Sequence, residues 1–200
     1  MRVGTQRGEV NVFVTVGTQL PFDRLVRTVD AWAGDHPHAR VFGQIGPTTY
    51  CPQHMQWEQF IDAEECRRRV AEATAVVAHA GMGTIITSLE MGTPIVVFPR
   101  QASLGEHRND HQIATARNLL AQNRVIVAFD EEHLLEKLAH LGRLPGARGV
   151  SRYARPQLLG VLREFITTGE YRVARPGSTV DTELDTAVFE PAVAGVGQPH

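Results

Sequence analysis

The sequence predicts an α/β domain, one parallel sheet with helices on both faces. Three observations carry that reading. Short, wholly apolar runs recur, as at residues 75–78 and 95–98, and a strand that is apolar throughout is one covered on both sides. Segments with apolar residues at helical spacing lie between them. Glycines, histidines and polar strings fall in loops leading from a strand to a helix, where sheets of this kind bind ligands. The chain has 200 residues, 42% hydrophobic and 21% charged. That suffices for one such domain with a true core and is ordinary globular composition.

The elements follow in order. Residues 12–16 are a β-branched run ended by Gly17 and read as the first strand. Pro21 opens a helical pattern, a position that tolerates its missing N–H, and Phe22, Leu25, Val26 and Val29 recur at helical spacing. Residues 40–45 are a second strand ending at Gly46-Pro47, residues 57–62 a weak third, and residues 64–73 a helix with a charged face. The buried strand 75–78 runs directly into His79-Ala80-Gly81-Met82-Gly83-Thr84. A helix over 84–91 follows and stops at Gly92. Pro94 and Pro99 bracket the strand Ile95-Val96-Val97-Phe98. Residues 111–122 are helical, with Ile113, Ala116, Leu119 and Leu120 on one side. Residues 125–129 are a strand, and Asp130 is the expected N-cap of a helix running to Leu141. A last amphipathic helix spans 157–168. After Arg172 the periodicity stops, so residues 1–171 are expected to form the domain and 172–200 a disordered tail.

The formal charge of −2 provides no global field toward nucleic acid or anionic lipid. Cys51 and Cys66 lack a pairing or metal-ligand spacing and read as idle thiols in a reducing compartment. The first ten residues have no apolar signal-peptide core, and no stretch approaches the roughly 18 apolar residues of a membrane span. A cytoplasmic chain is expected.

Four features carry candidate chemistry. Gly17-Thr18-Gln19 ends the first strand. It is either an ordinary turn or a phosphate site at a helix N-terminus, where free N–H groups and a partial positive charge gather. In the loop from His79 to Thr84, Gly81 and Gly83 allow close backbone approach. Thr84 is placed to cap the helix or bond a phosphate oxygen, and His79 is either an anion donor or a satisfied core histidine. Glu90 could accept both hydroxyls of a ribose, or be a solvated residue at a helix end. The string from Glu106 to Gln112 is seven polar residues at a helix start, suited to the hydroxyls and phosphates of a sugar nucleotide. Its two histidines, His107 and His111, have no firm third ligand, and no metal site is expected.

Together these loops resemble the C-terminal, donor-binding domain of family 28 glycosyltransferases. The resemblance rests on AHAGMGTIITSLEMGTPIVVFPRQASLGEHRNDHQ and on the opening VFVTVGTQLPFDRLV. The chain is similar to a branch of small one-domain proteins. That branch includes the catalytic subunit of the dolichol-linked N-acetylglucosaminyltransferase and bacterial exopolysaccharide β-1,4-glycosyltransferase subunits. The resemblance implies a Rossmann-like GT-B half-domain binding a UDP-sugar. It puts Gly17, Thr18 and Gln19 near the diphosphate and Ile45 by the uracil. His79, Ala80, Gly81, Gly83 and Thr84 surround the phosphates and ribose. Glu90 grips the ribose hydroxyls, and His111 and Gln112 face the donor sugar. No metal or other cofactor is expected, because helix dipoles and hydrogen-bond donors offset the diphosphate charge.

The acceptor-binding half of a GT-B enzyme is expected on a separate, membrane-associated subunit that recruits this chain to the inner face of the membrane. The helix at residues 158–166 is a candidate for docking it. The expected reaction is inverting transfer of a sugar to a lipid-diphosphate-linked saccharide, in exopolysaccharide or capsule synthesis. The catalytic base is unassigned and expected on the partner, with His79 and His107 as the candidates within the chain. The competing readings are a non-catalytic UDP-sugar enhancer or sensor, a sugar-nucleotide epimerase, and a structural partner protein.

Overall fold

The computed structural model describes residues 10–141 and Leu144, all within the first of two units into which the chain divides, Met1–Val150. The helix expected at 157–168 and the tail from 172 lie outside the described residues. Six strands are described: β1 (Asn11–Thr15), β2 (Arg40–Gln44), β3 (Gln56–Glu58), β4 (Ala75–Ala78), β5 (Ile95–Val97) and β6 (Ile126–Val127). The helices are α1 (Asp23–Asp35), α2 (Ala63–Glu72), α3 (Met82–Met91), α4 (His111–Ala121) and α5 (Glu131–Ala139), with a short 3-10 turn at Ala102–Leu104. All strand pairs are parallel, in the order β3-β2-β1-β4-β5-β6.

Burial matches the central position of β1 and β4. In β1, Val12 and Val14 point to one face and Phe13 to the other, and all three are buried. One core joins Val12, Val14, Val77 and Val96 to Leu25, Val26 and Val29 of α1 and to Leu134 and Leu138 of α5. The other joins Phe13, Val76 and Val97 to Val70 of α2, Ile85 and Leu89 of α3, and Ala116 of α4. Each fully buried Leu, Ile, Val or Phe contributes roughly 1.5–3 kcal/mol of transfer free energy. A strand lined by such residues on both faces is stable only inside the sheet. β3 is the reverse case, exposed at all three residues, and lies at the edge.

Helix boundaries obey local chemistry. Asp62 accepts a hydrogen bond from the Glu65 amide at 2.8 Å and caps α2. Asp130 does the same for α5 through the His133 amide at 2.8 Å. α3 ends at Gly92, whose φ of 71° is left-handed and so suits a residue without a Cβ. At its other end α3 begins two residues before Thr84. Gly81 occupies the N-cap position without a side-chain cap, so the expectation that Thr84 starts and caps the helix is corrected. Thr84 is the third helical residue, because the loop after β4 is only three residues long.

The chain changes direction between β1 and β4. β1 leads outward through β2 to β3, while β4 leads the other way to β5 and β6. Such a switch leaves a crevice beyond the carboxyl ends of the two central strands.

Candidate functional site

Thr15 of β1 pairs with Ala78 of β4, so the loops beginning at Val16 and His79 leave the sheet side by side. The His79 ring packs between them. A Cβ at Gly17 would lie 2.7 Å from His79 Cε1, and one at Gly81 would lie 2.2 Å from His79 Nε2. No real Cβ tolerates either distance. Gly81, expected to allow close approach of a ligand, and Gly17, expected at the turn after the first strand, therefore first of all admit this imidazole. Gly17 also has a φ of +79°.

Burial, and next the positive charge of Arg100, push His79 down to about 4, against 6.5 for an ordinary imidazole. At neutral pH the ring is uncharged. Its Nδ1 faces the Thr15 carbonyl at 3.5 Å. A base that weak is a poor acceptor for a sugar hydroxyl proton, since efficient general bases have a pKa near the working pH.

Buried polar residues organise this end of the sheet. Gln44, 4% exposed, uses both ends of its amide. Its Oε1 accepts from the Thr15 hydroxyl at 2.7 Å and the Gly17 amide at 3.2 Å, and its Nε2 donates to the carbonyls of Gly17 at 3.0 Å and Gln59 at 2.8 Å. Gln112, 5% exposed, lies in the first turn of α4. Its Oε1 accepts from the amides of Ala80 at 3.2 Å and Arg100 at 3.1 Å. One side chain thus binds the start of α4 to the glycine loop that begins α3. Its amide nitrogen has no hydrogen-bond partner among the described residues.

Arg100 is 2% exposed. Its guanidinium donates to the carbonyls of Val16 at 2.9 Å, Leu20 at 2.7 Å and Glu106 at 3.3 Å, and to that of Pro21. Burial pushes its pKa down to about 10, and it stays charged. Arg24 holds the Glu106 carboxylate at both oxygens, 2.6 and 2.8 Å, and its guanidinium lies 4.1 Å from the centre of the Phe98 ring.

The first-turn amides of an α-helix have no intrahelical acceptor. In α1, α2 and α5 acidic residues accompany them, namely Asp23, Glu64 with Glu65, and Glu131 with Glu132. α3 has no acid in its first turn and no side-chain cap. α4 has none in its first turn either, and the carboxylate of its N-cap residue, Asp110, accepts from the Ala102 amide at 2.8 Å instead. The N-terminus of α3 is thus left with neither an acid nor a side-chain cap, an arrangement that favours an anion, whereas α4 starts with the Asp110 carboxylate and with its His111 amide bonded to Asn109 Oδ1 at 3.3 Å.

Gly83 is exposed in the first turn of α3, and a Cβ there would meet nothing within 4 Å. Thr87, one turn on, donates its hydroxyl to the Gly83 carbonyl at 2.9 Å. Thr18 and Gln19 are exposed on the loop after β1, and His111 is exposed at the start of α4. The rings of His107 and His111 meet edge to face with centroids 4.4 Å apart. Among the described residues no group of three or more His, Cys, Asp or Glu is placed to hold a metal ion. Cys51 and Cys66 are both free.

Contacts bring together Gly17, His79, Ala80, Gly81 and Gln112, with Thr18, Gln19, Gly83, Thr84 and His111 beside them in the chain, and two expected residues face elsewhere. Ile45 is 0% exposed within the core, and its side chain offers no surface to a ligand. Glu90 lies eight residues along α3 from Met82, about 12 Å at 1.5 Å per residue. Its carboxylate is 3.7 Å from Arg67 of α2, so placing it at the ribose is corrected to a pair between helices. The polar string is also divided. Glu106 and Asp110 serve the protein's own loops, while Arg108, Asn109 and His111 are exposed.

The sequence reading missed Arg24, Gln44 and Arg100. Each left a signal. Arg24 is a cation at a helix start, where the dipole disfavours it unless it is paired. Gln44 and Arg100 are polar residues closing apolar strands.

Comparison with known proteins gives the following. Residues 11–143 match the glycosyltransferase family 28 C-terminal domain. UDP-N-acetylglucosamine transferase subunit ALG13 of Homo sapiens is 32% identical over 118 residues, covering 54% of this chain and 10% of that protein. The chain thus spans about a tenth of the length of the curated relatives it matches. The NMR solution structure of ALG13 is similar with a TM-score of 0.52 and 20% identity, covering 80% of this chain and 98% of that one. The crystal structure of the glycotransferase of kitacinnamycin gives 0.51 and 20%, covering 68% and 35%. At these identities the structural likeness carries the fold, a Rossmann-like half of the GT-B architecture.

Proposed function

Because the chain belongs to the glycosyltransferase family 28 C-terminal domain family, we propose that it is the donor-binding, catalytic subunit of an inverting, UDP-sugar-dependent hexosyltransferase. The observation that carries this is the acid-free, uncapped N-terminus of α3, tied by Gln112 to the start of α4 at the crevice between β1 and β4. Free first-turn amides at a helix start suit a phosphate.

In this reading the UDP diphosphate lies against the first-turn amides of α3, with Gly83 giving it room and the Thr84 hydroxyl in reach. The loop at Thr18 and Gln19 closes one side, and His111 and the amide nitrogen of Gln112, unpartnered among the described residues, face the sugar. In the transfer step the bond from the anomeric carbon to the β-phosphate oxygen breaks and its electron pair stays on UDP. The acceptor oxygen attacks from the opposite side and loses its proton to a base. The N-terminus of α3 stabilises the charge gathering on the leaving diphosphate, so no metal is required. His79, neutral and weakly basic, serves as a packing and hydrogen-bonding group, and the base comes from a partner subunit.

The acceptor is proposed to be a lipid-diphosphate-linked saccharide of exopolysaccharide or capsule synthesis. The chain would then work at the cytoplasmic membrane face through that partner. The relative's printed description as a transferase subunit supports a multi-chain enzyme. Calorimetry with UDP, UMP and uridine, in the presence of a chelator, tests the core of the reading. Affinity should rise from uridine to UMP to UDP. No binding of UDP, or equal affinity for uridine, would overturn it. Transfer of radiolabelled sugar by the chain co-expressed with its partner separates an enzyme from a sensor.

A further inference from the structure

We propose that Arg100, with Glu106, is a positioning device that holds two ligand-facing loops in register before any nucleotide arrives. This rests on the reading of the crevice as a nucleotide-sugar site. The loop after β1 contributes three of Arg100's acceptors, the carbonyls of Val16, Leu20 and Pro21, and the loop after β5 contributes the fourth, that of Glu106. The loop after β5 is also held to the first turn of α1, which directly follows the loop after β1, by the Arg24–Glu106 pair at 2.6 Å, and the Glu106 carboxylate folds its own loop by accepting from the Gln101 amide at 2.9 Å. The Arg100 main chain extends the brace, since its amide shares Gln112 Oε1 with Ala80 of the glycine loop.

Loops rich in glycine and polar residues gain little from burial, so a mobile loop must be ordered when ligand binds, at a cost in affinity. Here that cost is met at folding, by a guanidinium whose planar fork satisfies four carbonyls at once. A lysine ammonium is a single point with three donors and cannot reach both loops. Arg100 touches no reacting group in this account. Its effect on ligand is exerted through Thr18, Gln19 and the start of α4.

The test uses the full chain and its Arg100→Lys variant. UDP affinity is measured by calorimetry, folding by thermal unfolding, and loop order by hydrogen exchange at residues 17–22 and 101–107. The variant should bind UDP about tenfold more weakly while remaining folded, as expected when preorganisation is lost. Its loop amides should exchange faster than wild type without ligand and return toward wild type at saturating UDP. A purely structural role would lower the melting temperature but leave affinity and loop exchange in the folded molecules unchanged, and that outcome overturns the proposal. Weakened binding with wild-type loop exchange overturns it too, because Arg100 would then act on the ligand directly. If Arg100→Lys does not fold, Glu106→Gln decides by the same criteria, with a smaller loss expected. Failure of the wild-type chain to bind UDP would sink the nucleotide reading and the positioning role together. Wild-type binding matched by both variants would sink the positioning role alone.

Discussion

Replacing Gly83 by alanine separates what the fold needs from what the ligand needs. Gly83 is a helical residue whose added Cβ would meet nothing within 4 Å, so no clash opposes the change. Alanine lowers the entropy of the unfolded chain and favours helix, worth up to about 1 kcal/mol in a helix interior and less in the first turn. Stability should therefore stay level or rise, by at most about 2–4 °C in melting temperature for a domain of this size. The new methyl would occupy the space above the first turn of α3, where the diphosphate is proposed to lie. Lifting the phosphate off even one amide costs on the order of 1.5–3 kcal/mol, a charged hydrogen bond, or about tenfold or more in affinity. Thermal unfolding and UDP calorimetry on one preparation check both halves. Undiminished UDP affinity in a fully folded variant would refute the placement of the ligand. Gly81→Ala is the control with the opposite signature. Its Cβ would lie 2.2 Å from the His79 ring, so it should lose stability before ligand is added.

Other outcomes follow from the same geometry. Gln44→Leu keeps the volume but removes all four hydrogen bonds of the amide, to the Thr15 hydroxyl, the Gly17 amide and the carbonyls of Gly17 and Gln59. Urea titration should show a loss of about 2–4 kcal/mol, and a loss below about 0.5 kcal/mol would mean that the network relaxes around it. His79 is held at about 4, below its unfolded value of 6.5. Its contribution to stability is present above pH 6.5 and is lost as the pH falls toward 4, because the unfolded state takes the proton first. His79→Gln should flatten the urea midpoint across that window relative to wild type, and an identical slope would contradict the assignment. Glu90→Ala removes a partly exposed pair worth under about 1 kcal/mol. UDP affinity should be unchanged, and a clear loss would restore Glu90 to the site.

Most of the fold was legible because strands and helices advertise themselves through period. The apolar runs at Ala75–Ala78 and Ile95–Val97 appear where expected, and Asp130 caps its helix as read. Boundaries moved where backbone geometry overrode composition. α3 begins at Met82 because the loop after β4 closes within three residues, although a glycine in the first turn argues against helix. The loops of the site were also legible, since glycines and polar strings at strand ends are rare enough to notice. The direction of individual side chains was not. Glu90 and Ile45 lie in the right segments but point to Arg67 and into the core. Facing depends on helical phase and on which sheet face is covered, neither of which a local string specifies. Arg24 and Glu106 are 82 residues apart, and no local pattern links them.

The packing of His79 between Gly17 and Gly81 has an evolutionary corollary. The three positions constrain one another sterically, so they should vary as a set. An alanine at 81, where φ of −88° is ordinary for any residue, becomes acceptable once the imidazole is replaced by a smaller group. The His79→Ala, Gly81→Ala double variant should accordingly be less destabilised than the sum of the two single changes. Gly17 has no such escape, because its left-handed backbone still resists a side chain after the ring is gone. Among homologues position 81 is therefore expected to drift in step with position 79, while position 17 stays glycine.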